Sequence, residues 1–411
     1  MASALDRLSY TARQAARVAW YAGHYAAGRR LLKPMPKPDF PVGPTPTRAE
    51  LTADMRALFA REWQDIAAGR FPAPRLLSRD PGDFLRRSSL YFRDLPQVDA
   101  RRHGKLDDEL PPGNQADGLP DYYRQNFHFQ SDGWLSERSA ALYDTQVEVL
   151  FTGSADVMRR RALRPIAEWM AGRNQRSLRG LDVGCGTGRL LAFLHQAWPG
   201  LKWTGLDLSP PYLAEARRLI GDTARVKLIE GAAEKLPFED ASLDLVVSSF
   251  LLHELPAEIR GKALAEIARV LRPDGLVVVV DSIQRGDHAA WDGLLDLFPH
   301  YFHEPYYADY VGGRLTDWAA DSGLAVVATD PSTTPSTAPI NPGDTEAPTA
   351  STSPADWGAL LAAKVSGELQ PLIATSAAQP LLPDNITPPI SKQADDDVRT
   401  YADGCTVEFH G

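Results

Sequence analysis

The sequence predicts an α/β protein built on a mostly parallel sheet covered by helices on both faces. Three observations carry this reading. Between Leu178 and Asp330, short β-prone runs alternate with helical stretches. Those runs are near-continuous Val, Leu and Ile, the pattern of strands buried on both sides. The first of them passes directly into a glycine-rich turn. The strands are LRGLDVG (178–184), KWTGLDL (202–208), RVKLIEG (225–231), LDLVVSS (243–249) and GLVVVVDS (275–282). Helices are predicted over Pro210–Ile220 and Ala257–Leu271. Ser209 caps the first of these, and Pro210 sits in its first turn, where a missing N–H costs nothing.

Upstream of this unit the text changes character. Residues 5–32 have helical periodicity, with Tyr10, Trp20, Tyr21 and Tyr25 among the apolar positions. Arg7, Arg13, Arg17, Arg29, Arg30 and Lys33 oppose the single acid Asp6. Such a basic, aromatic helix over residues 5–33 suits an anionic membrane surface, a partner groove, or packing on the rest of the protein. It shares its composition with transit peptides, whereas the arginines interrupt any secretory core. Six prolines from Pro34 to Pro46 then enforce an extended connector. Thr47 and Glu50 have capping-box spacing and open a second helix. Residues 71–118 read as irregular surface structure, and residues 122–150 as an aromatic, mainly helical cap.

At the other end, 11 of the 33 prolines fall between Pro331 and Pro389. The predicted division is therefore a basic helix and linker (1–46), a helical cap (47–150), an α/β domain (151–366) and a flexible tail (367–411). Residues 331–354 form a Pro/Ser/Thr-rich insertion within the third unit, followed by an apolar late strand or short helix at 357–365. With 44 basic and 53 acidic side chains the net charge is −9, which argues against nucleic acid as the partner of the whole chain. Two cysteines make neither a disulfide framework nor a multi-cysteine zinc site. No apolar run is long enough to span a bilayer. These features point to a cytoplasmic protein, peripheral to a membrane at most.

The segment that carries chemistry is Leu181-Asp182-Val183-Gly184-Cys185-Gly186-Thr187-Gly188. It lies at the carboxyl edge of the first strand, where open α/β sheets bind ligands. A phosphate-binding P-loop requires Gly-Lys-Ser/Thr, but Arg189 follows Gly188. A dinucleotide fingerprint places its third glycine at 189, which is again arginine. The spacing G-x-G-x-G after an acid suits a cationic ligand.

This motif resembles that of the class I S-adenosylmethionine-dependent methyltransferases, with their Rossmann-like, seven-stranded type of sheet. The likeness extends to Asp207 in GLDLS and to GAAEKLPFEDASLDLVVSSFLLHEL and IARVLRPDGLVVVVD. These segments are similar to the subgroup containing the ubiquinone- and menaquinone-biosynthesis enzymes, over about Leu178–Ala328 plus an upstream helix near Ala155–Met170.

The resemblance implies S-adenosyl-L-methionine as cofactor. Gly184, Gly186 and Gly188 line its methionine half, and Asp182 offers negative charge to its ammonium. Asp207 accepts the ribose hydroxyls, and Leu208 packs on adenine. Where the family reads Gly-Asp-Ala, this chain reads Gly231-Ala232-Ala233, so Glu234 or a backbone carbonyl has to receive the adenine amine. Ser248, Ser249 and Phe250 close the fourth strand, beside the reacting end. Cys185 is a packing residue.

Catalytic candidates are His253, as base or loop-orienting group, with Glu254 and His303. His303 lies in the aromatic run Phe298–Tyr307, where the family builds part of its acceptor pocket. A metal at His300 and His303 lacks further ligands, so no metal is expected. Tyr122, Tyr123, His128 and Trp134 of the cap line the same pocket or form cap core. The implied activity is methyl transfer to a small, partly apolar, quinone-like or aromatic acceptor. Two readings stand beside it: a scaffold without turnover, and an enzyme that modifies its own tail.

Overall fold

The computed structural model describes residues 3–75, 81–106, 118–329, 374–376 and 407–410. The predicted insertion at 331–354, the segment 357–365 and most of the predicted tail lie outside these residues. Eight strands pair among the described residues. They are β1 (Arg179–Val183), β2 (Lys202–Asp207), β3 (Val226–Glu230), β4 (Leu243–Ser249), β5 (Leu271–Val280), β6 (Leu324–Thr329), β7 (Ala374–Ser376) and β8 (Val407–His410). Their order is β3-β2-β1-β4-β5-β8-β6-β7. The first five are parallel, and β8 runs antiparallel to both β5 and β6. The sequence predicts the five parallel strands, seven in all. The sheet instead takes in two pieces of the segment predicted as a tail beyond residue 366.

The parallel core is dry. Val246, Val247, Val277, Val278, Val279 and Val280 are fully buried. Gly180 is required by a close approach: a Cβ there would stand 2.5 Å from the Trp203 ring. Helices cover both faces: α1 (Ala4–Arg29), α2 (Arg48–Ala67), α3 (Pro81–Gly104), α4 (Glu137–Leu150), α5 (Ala155–Arg159), α6 (Leu163–Trp169), α7 (Arg189–Ala197), α8 (Pro210–Ile220), α9 (Ala257–Val270), α10 (Asp292–Tyr301), α11 (Tyr307–Gly312) and α12 (Leu315–Asp321). The capping box of Thr47 and Glu50 and the Ser209 cap form as predicted. The upstream helix expected over 155–170 is broken into α5, a 3₁₀ turn and α6.

The stretch predicted as irregular over 71–118 holds the long helix α3. Its inward face is partly ionic, which hides the helical stripe. Tyr91 and Leu95 are buried beside the equally buried Asp94, Asp99 and Arg102. Arg138 and the Ser131 hydroxyl donate to Asp94 at 2.9 and 2.7 Å. Helix α1 turns its aromatic side inward, burying Tyr10, Tyr21 and Tyr25 and leaving Leu5, Leu8 and Trp20 exposed.

Buried ions tie these N-terminal helices to the sheet unit. Asp156 on α5 accepts from Arg17 of α1 at 2.7 Å and from Arg189 Nε of α7 at 2.9 Å, with Arg159 at 3.5 Å. Burial raises the Asp156 carboxyl pKa, but the charges of Arg17 and Arg189 outweigh it and hold the group ionised. Arg160 pairs with Glu62 of α2, which also accepts from the Tyr10 hydroxyl at 2.5 Å. Arg161 pairs with Asp65 at 3.0 Å. Removing one partner of such a buried cluster costs about 3–5 kcal/mol. Asp156→Asn is therefore expected to lower unfolding stability by about that amount in urea titrations. Asp121→Asn, on a fully exposed side chain, leaves it unchanged.

Candidate functional site: a glycine turn between two buried carboxylates

The strand order reverses between β1 and β4, so their carboxyl ends open a crevice at the switch point. The glycine turn fills its rim. Gly184, Gly186 and Gly188 have φ of +68°, +54° and +77°, a region that other residues adopt only under strain. The three differ in what surrounds them. A Cβ on Gly184 would meet Leu251 at 2.9 Å, and one on Gly188 would meet Ala216 at 2.9 Å. A Cβ on Gly186 would meet nothing within 4 Å, so this backbone faces open space. The turn is pinned from β2: the Cys185 N–H donates to the Leu206 carbonyl at 2.9 Å, and the Gly186 N–H to Asp207 Oδ2 at 2.8 Å. Cys185 itself is buried.

Two carboxylates flank this turn. Asp207 Oδ1 accepts from the Ser209 N–H at 2.9 Å. Burial pushes its pKa up to about 6, although backbone amides of Ser209, Gly186 and Leu208 pull the other way. Asp182, on β1, is 1% exposed, and neither of its oxygens has a hydrogen-bond partner of good geometry. Burial, then the neighbouring charge of Asp207, raises its pKa well above the usual carboxylate range, with Arg159 and the Leu191 amide easing it. A buried, unpartnered carboxylate is costly unless a cation or hydrogen-bond donor meets it. The site thus carries unmatched negative polarity beside open backbone.

The cap closes over the far end of this crevice. Leu208 packs with Tyr123, Trp134 and Leu135 of the cap. The Ser209 hydroxyl donates to the Trp134 carbonyl at 2.6 Å. Tyr122 donates to both oxygens of Glu234, at 2.8 and 3.0 Å. Glu234, predicted as the replacement acceptor for the missing aspartate at Ala232, is thus already engaged by the cap, and Ala233 is buried beside it. Ser249 ends β4 half-buried, while the buried Ser248 hydroxyl donates to the Val183 carbonyl at 3.2 Å.

Beyond β4 lies a cavity of about 40 Å³ lined by His128, Tyr143, Phe250, His253, Glu254 and Phe298 among others. An apolar cavity of about 150 Å³ shares His128, Tyr143, Val147 and Leu150 with it and runs under α1 and α3. His253 and Glu254 are both buried. His253 Nδ1 pairs with Asp281, and its Nε2 lies 3.2 Å from Glu254 Oε1. Burial alone would lower the His253 pKa, but Asp281 and Glu254 raise it to about 10, so the ring is charged at neutral pH. Glu254 also meets His128 Nε2 at 3.3 Å, and His128 Nδ1 meets Glu304 at 3.0 Å. His303 does not line the smaller cavity: its Nε2 pairs with Gln125 at 2.8 Å, at the cap boundary. His300 bonds the Pro36 carbonyl on the surface.

Sequence reasoning missed Asp281 and the pairing of His128 with Glu254 and Glu304. An acid closing β5, as Asp207 closes β2, was the available signal for Asp281. Nothing local marks the others, which meet only through the tertiary fold. An aspartate carboxyl titrating near 6 follows from the burial of Asp207. Carbon-13 NMR of labelled aspartate is expected to show that titration, and Asp207→Asn to abolish it.

Residues 181–275 match a family model described as a methyltransferase domain. Demethylmenaquinone methyltransferases of Staphylococcus aureus strains JH9 and Newman are 38% identical over 111 residues, 27% of this chain and 45% of theirs. The chain thus spans about half the length of the curated relatives it matches. A chain of the complex between the Haloferax volcanii Trm112 methyltransferase activator and a methyltransferase is 24% identical with a TM-score of 0.37, covering 53% of this chain and 91% of that one. The glycine turn, the acid-terminated second strand and the 3-2-1-4-5 order all fall within or beside the matched segment. Over residues 181–275 this chain is therefore similar to a methyltransferase domain, and over 111 residues to the demethylmenaquinone methyltransferases.

Proposed function

We propose that this chain is an S-adenosylmethionine-dependent methyltransferase acting on a small, partly apolar, quinone-like or aromatic ring compound. The observation that carries the reading is Asp182: a buried carboxyl with no hydrogen-bond partner of good geometry, beside a glycine backbone open to ligand. A ligand with an ammonium and two vicinal hydroxyls supplies what Asp182 and Asp207 lack, so the residues fit the donor. Asp182 and the Gly186 backbone would hold its methionine end, and Asp207 its ribose, with both carboxylate oxygens accepting. Leu208 and the Tyr123–Trp134 cluster would cover the adenine. Bound there, S-adenosylmethionine supplies a methyl group already activated on a sulfonium.

The protein's task is then alignment and exclusion of water, which the cap performs by roofing the crevice. The acceptor occupies the cavity lined by Tyr143, Phe250 and Phe298, its apolar part extending toward Val147 and Leu150. Glu254 faces the acceptor oxygen and is the group that receives its proton, while His253, already charged and fixed by Asp281, holds Glu254 in place. The demethylmenaquinone methyltransferases among the relatives support a quinone-like ring. One observation favours the alternative of a scaffold without turnover. Ala232 offers no acceptor to an adenine amine, and Glu234 is already held by Tyr122.

Calorimetry with S-adenosylmethionine and S-adenosylhomocysteine tests the donor. Binding is expected, weakened about 10–100-fold by Asp207→Ala, the worth of one or two charge-assisted hydrogen bonds. Affinity is expected to fall as the pH drops below about 6, because the sugar requires ionised Asp207. Above that pH Asp207 is already charged, and any further rise in affinity reports Asp182, whose own pKa burial raises. Absence of binding removes the methyltransferase reading. Binding without product from reduced, demethylated naphthoquinones favours the scaffold, and a mass gain of one methylene on the protein itself favours modification of its own tail.

A further inference from the structure

The cluster behind the acceptor cavity has more ligand-forming groups than a proton relay needs. One atom each from His128, Glu254 and Glu304 lies within 4.8 Å of the others. They arrive from three separate segments: the cap turn Phe127–Phe129, the turn Leu252–Glu254 after β4, and the loop following α10. Glu254 and Glu304 are 6% and 4% exposed. Sequence inspection pairs His300 with His303 as ligands and finds them insufficient; the fold assembles a different set.

Three features distinguish this cluster from an ordinary ion pair. Glu254 Oε2 is buried with no hydrogen-bond partner, while its Oε1 already serves two imidazoles. His128 is held at φ +57°, an uncommon and costly backbone for a non-glycine residue, by its N–H bond to the His303 carbonyl at 2.9 Å. Three carboxylates, Asp281, Glu254 and Glu304, gather around the two imidazoles His253 and His128. The group also adjoins open volume, since His128 and Glu254 line the smaller cavity.

We infer that His128, Glu254 and Glu304 form a binding site for a first-row divalent cation. One imidazole nitrogen with two carboxylates is a borderline-to-hard ligand set, suited to Mn²⁺, Fe²⁺ or Zn²⁺ more than to Mg²⁺ or Ca²⁺. Three protein ligands leave coordination positions free, as in metal sites that take up substrate. His253, held by Asp281, stands behind Glu254 and orients it, in the manner of outer-shell partners. The bound cation would present its free positions to the cavity and take an oxygen of the acceptor; this last role rests on the methyl-transfer reading above, whereas cation binding does not.

The test uses the full chain, stripped with a chelator and dialysed, then titrated with Mn²⁺ or Zn²⁺ alone. Mn²⁺ is followed by the loss of its free-ion electron paramagnetic resonance signal, and Zn²⁺ by calorimetry. One equivalent per chain is expected, with a rise in melting temperature on metal addition. Glu304→Gln, which keeps the shape of the side chain, is expected to weaken binding about 10–100-fold. His300→Ala, on a surface histidine outside the cluster, leaves it unchanged. Less than one equivalent bound to the wild-type chain overturns the assignment, whatever the variants do. Equal binding by a Glu304→Gln chain with native circular dichroism overturns it too. No methyl donor enters these measurements. Metal binding without donor binding leaves this site standing while the function fails, and the converse removes only the site.

Discussion

The position of the first helix rests on one buried carboxylate, Asp156, gathered by arginines from three different elements. Arg17 comes from the first helix, Arg159 from its own short helix, and Arg189 from the helix that the glycine turn opens. Desolvating so many charges is expensive, and their mutual attraction repays it only in good geometry. The arrangement therefore specifies more than it stabilises: it fixes where α1 can sit relative to α7. Glu148, drawn to Arg17, and Glu62, drawn to Arg160, extend the network to α4 and α2.

The crevice follows the opposite principle. Asp156 meets arginines at bonding distance, whereas neither oxygen of Asp182 has a hydrogen-bond partner of good geometry. Asp207 is only partly satisfied, by backbone amides that also shape the glycine turn. The fold tolerates this cost because β1 and β2, in register from Arg179 with Lys202 to Val183 with Leu206, leave the strand ends no other place to go. Free energy withheld from folding in this way becomes available to a ligand that brings positive charge and hydroxyl donors. Gly184 and Gly188 serve the packing of that turn against Leu251 and Ala216, whereas Gly186 alone faces outward.

The α/β unit was legible because its information is local. Strand runs of Val and Leu, the Ser209 cap and the G-x-G-x-G turn each declare themselves within a few residues. The parallel strands accordingly fall within a few residues of their predicted bounds. Helix α3 was not legible, because its buried face mixes Tyr91 and Leu95 with Asp94, whose partners Arg138 and Ser131 lie far along the chain, and with Asp99, which accepts from the distant Lys33 N–H. The same holds at the site. Asp182 and Asp207 follow from motif and strand end, but Asp281 meets His253 only across two strand ends, and His128 meets Glu254 and Glu304 only when the cap docks. Tyr122 taking up Glu234 is likewise a tertiary event with no signature in the sequence.

The strand β8 separates β5 from β6 in the sheet, yet it follows β6 in the chain by more than seventy residues. During synthesis, then, the outer edge of β5 emerges long before the segment that pairs with it. Until residues 407–410 leave the ribosome, the hydrogen-bonding groups of β5 are exposed to any other extended segment nearby. Loop closure over such a separation is only slowly more costly with length, so the delay is one of timing more than of free energy. The nascent protein passes through an interval with an unsealed sheet, when chaperones or neighbouring chains have their best access to it.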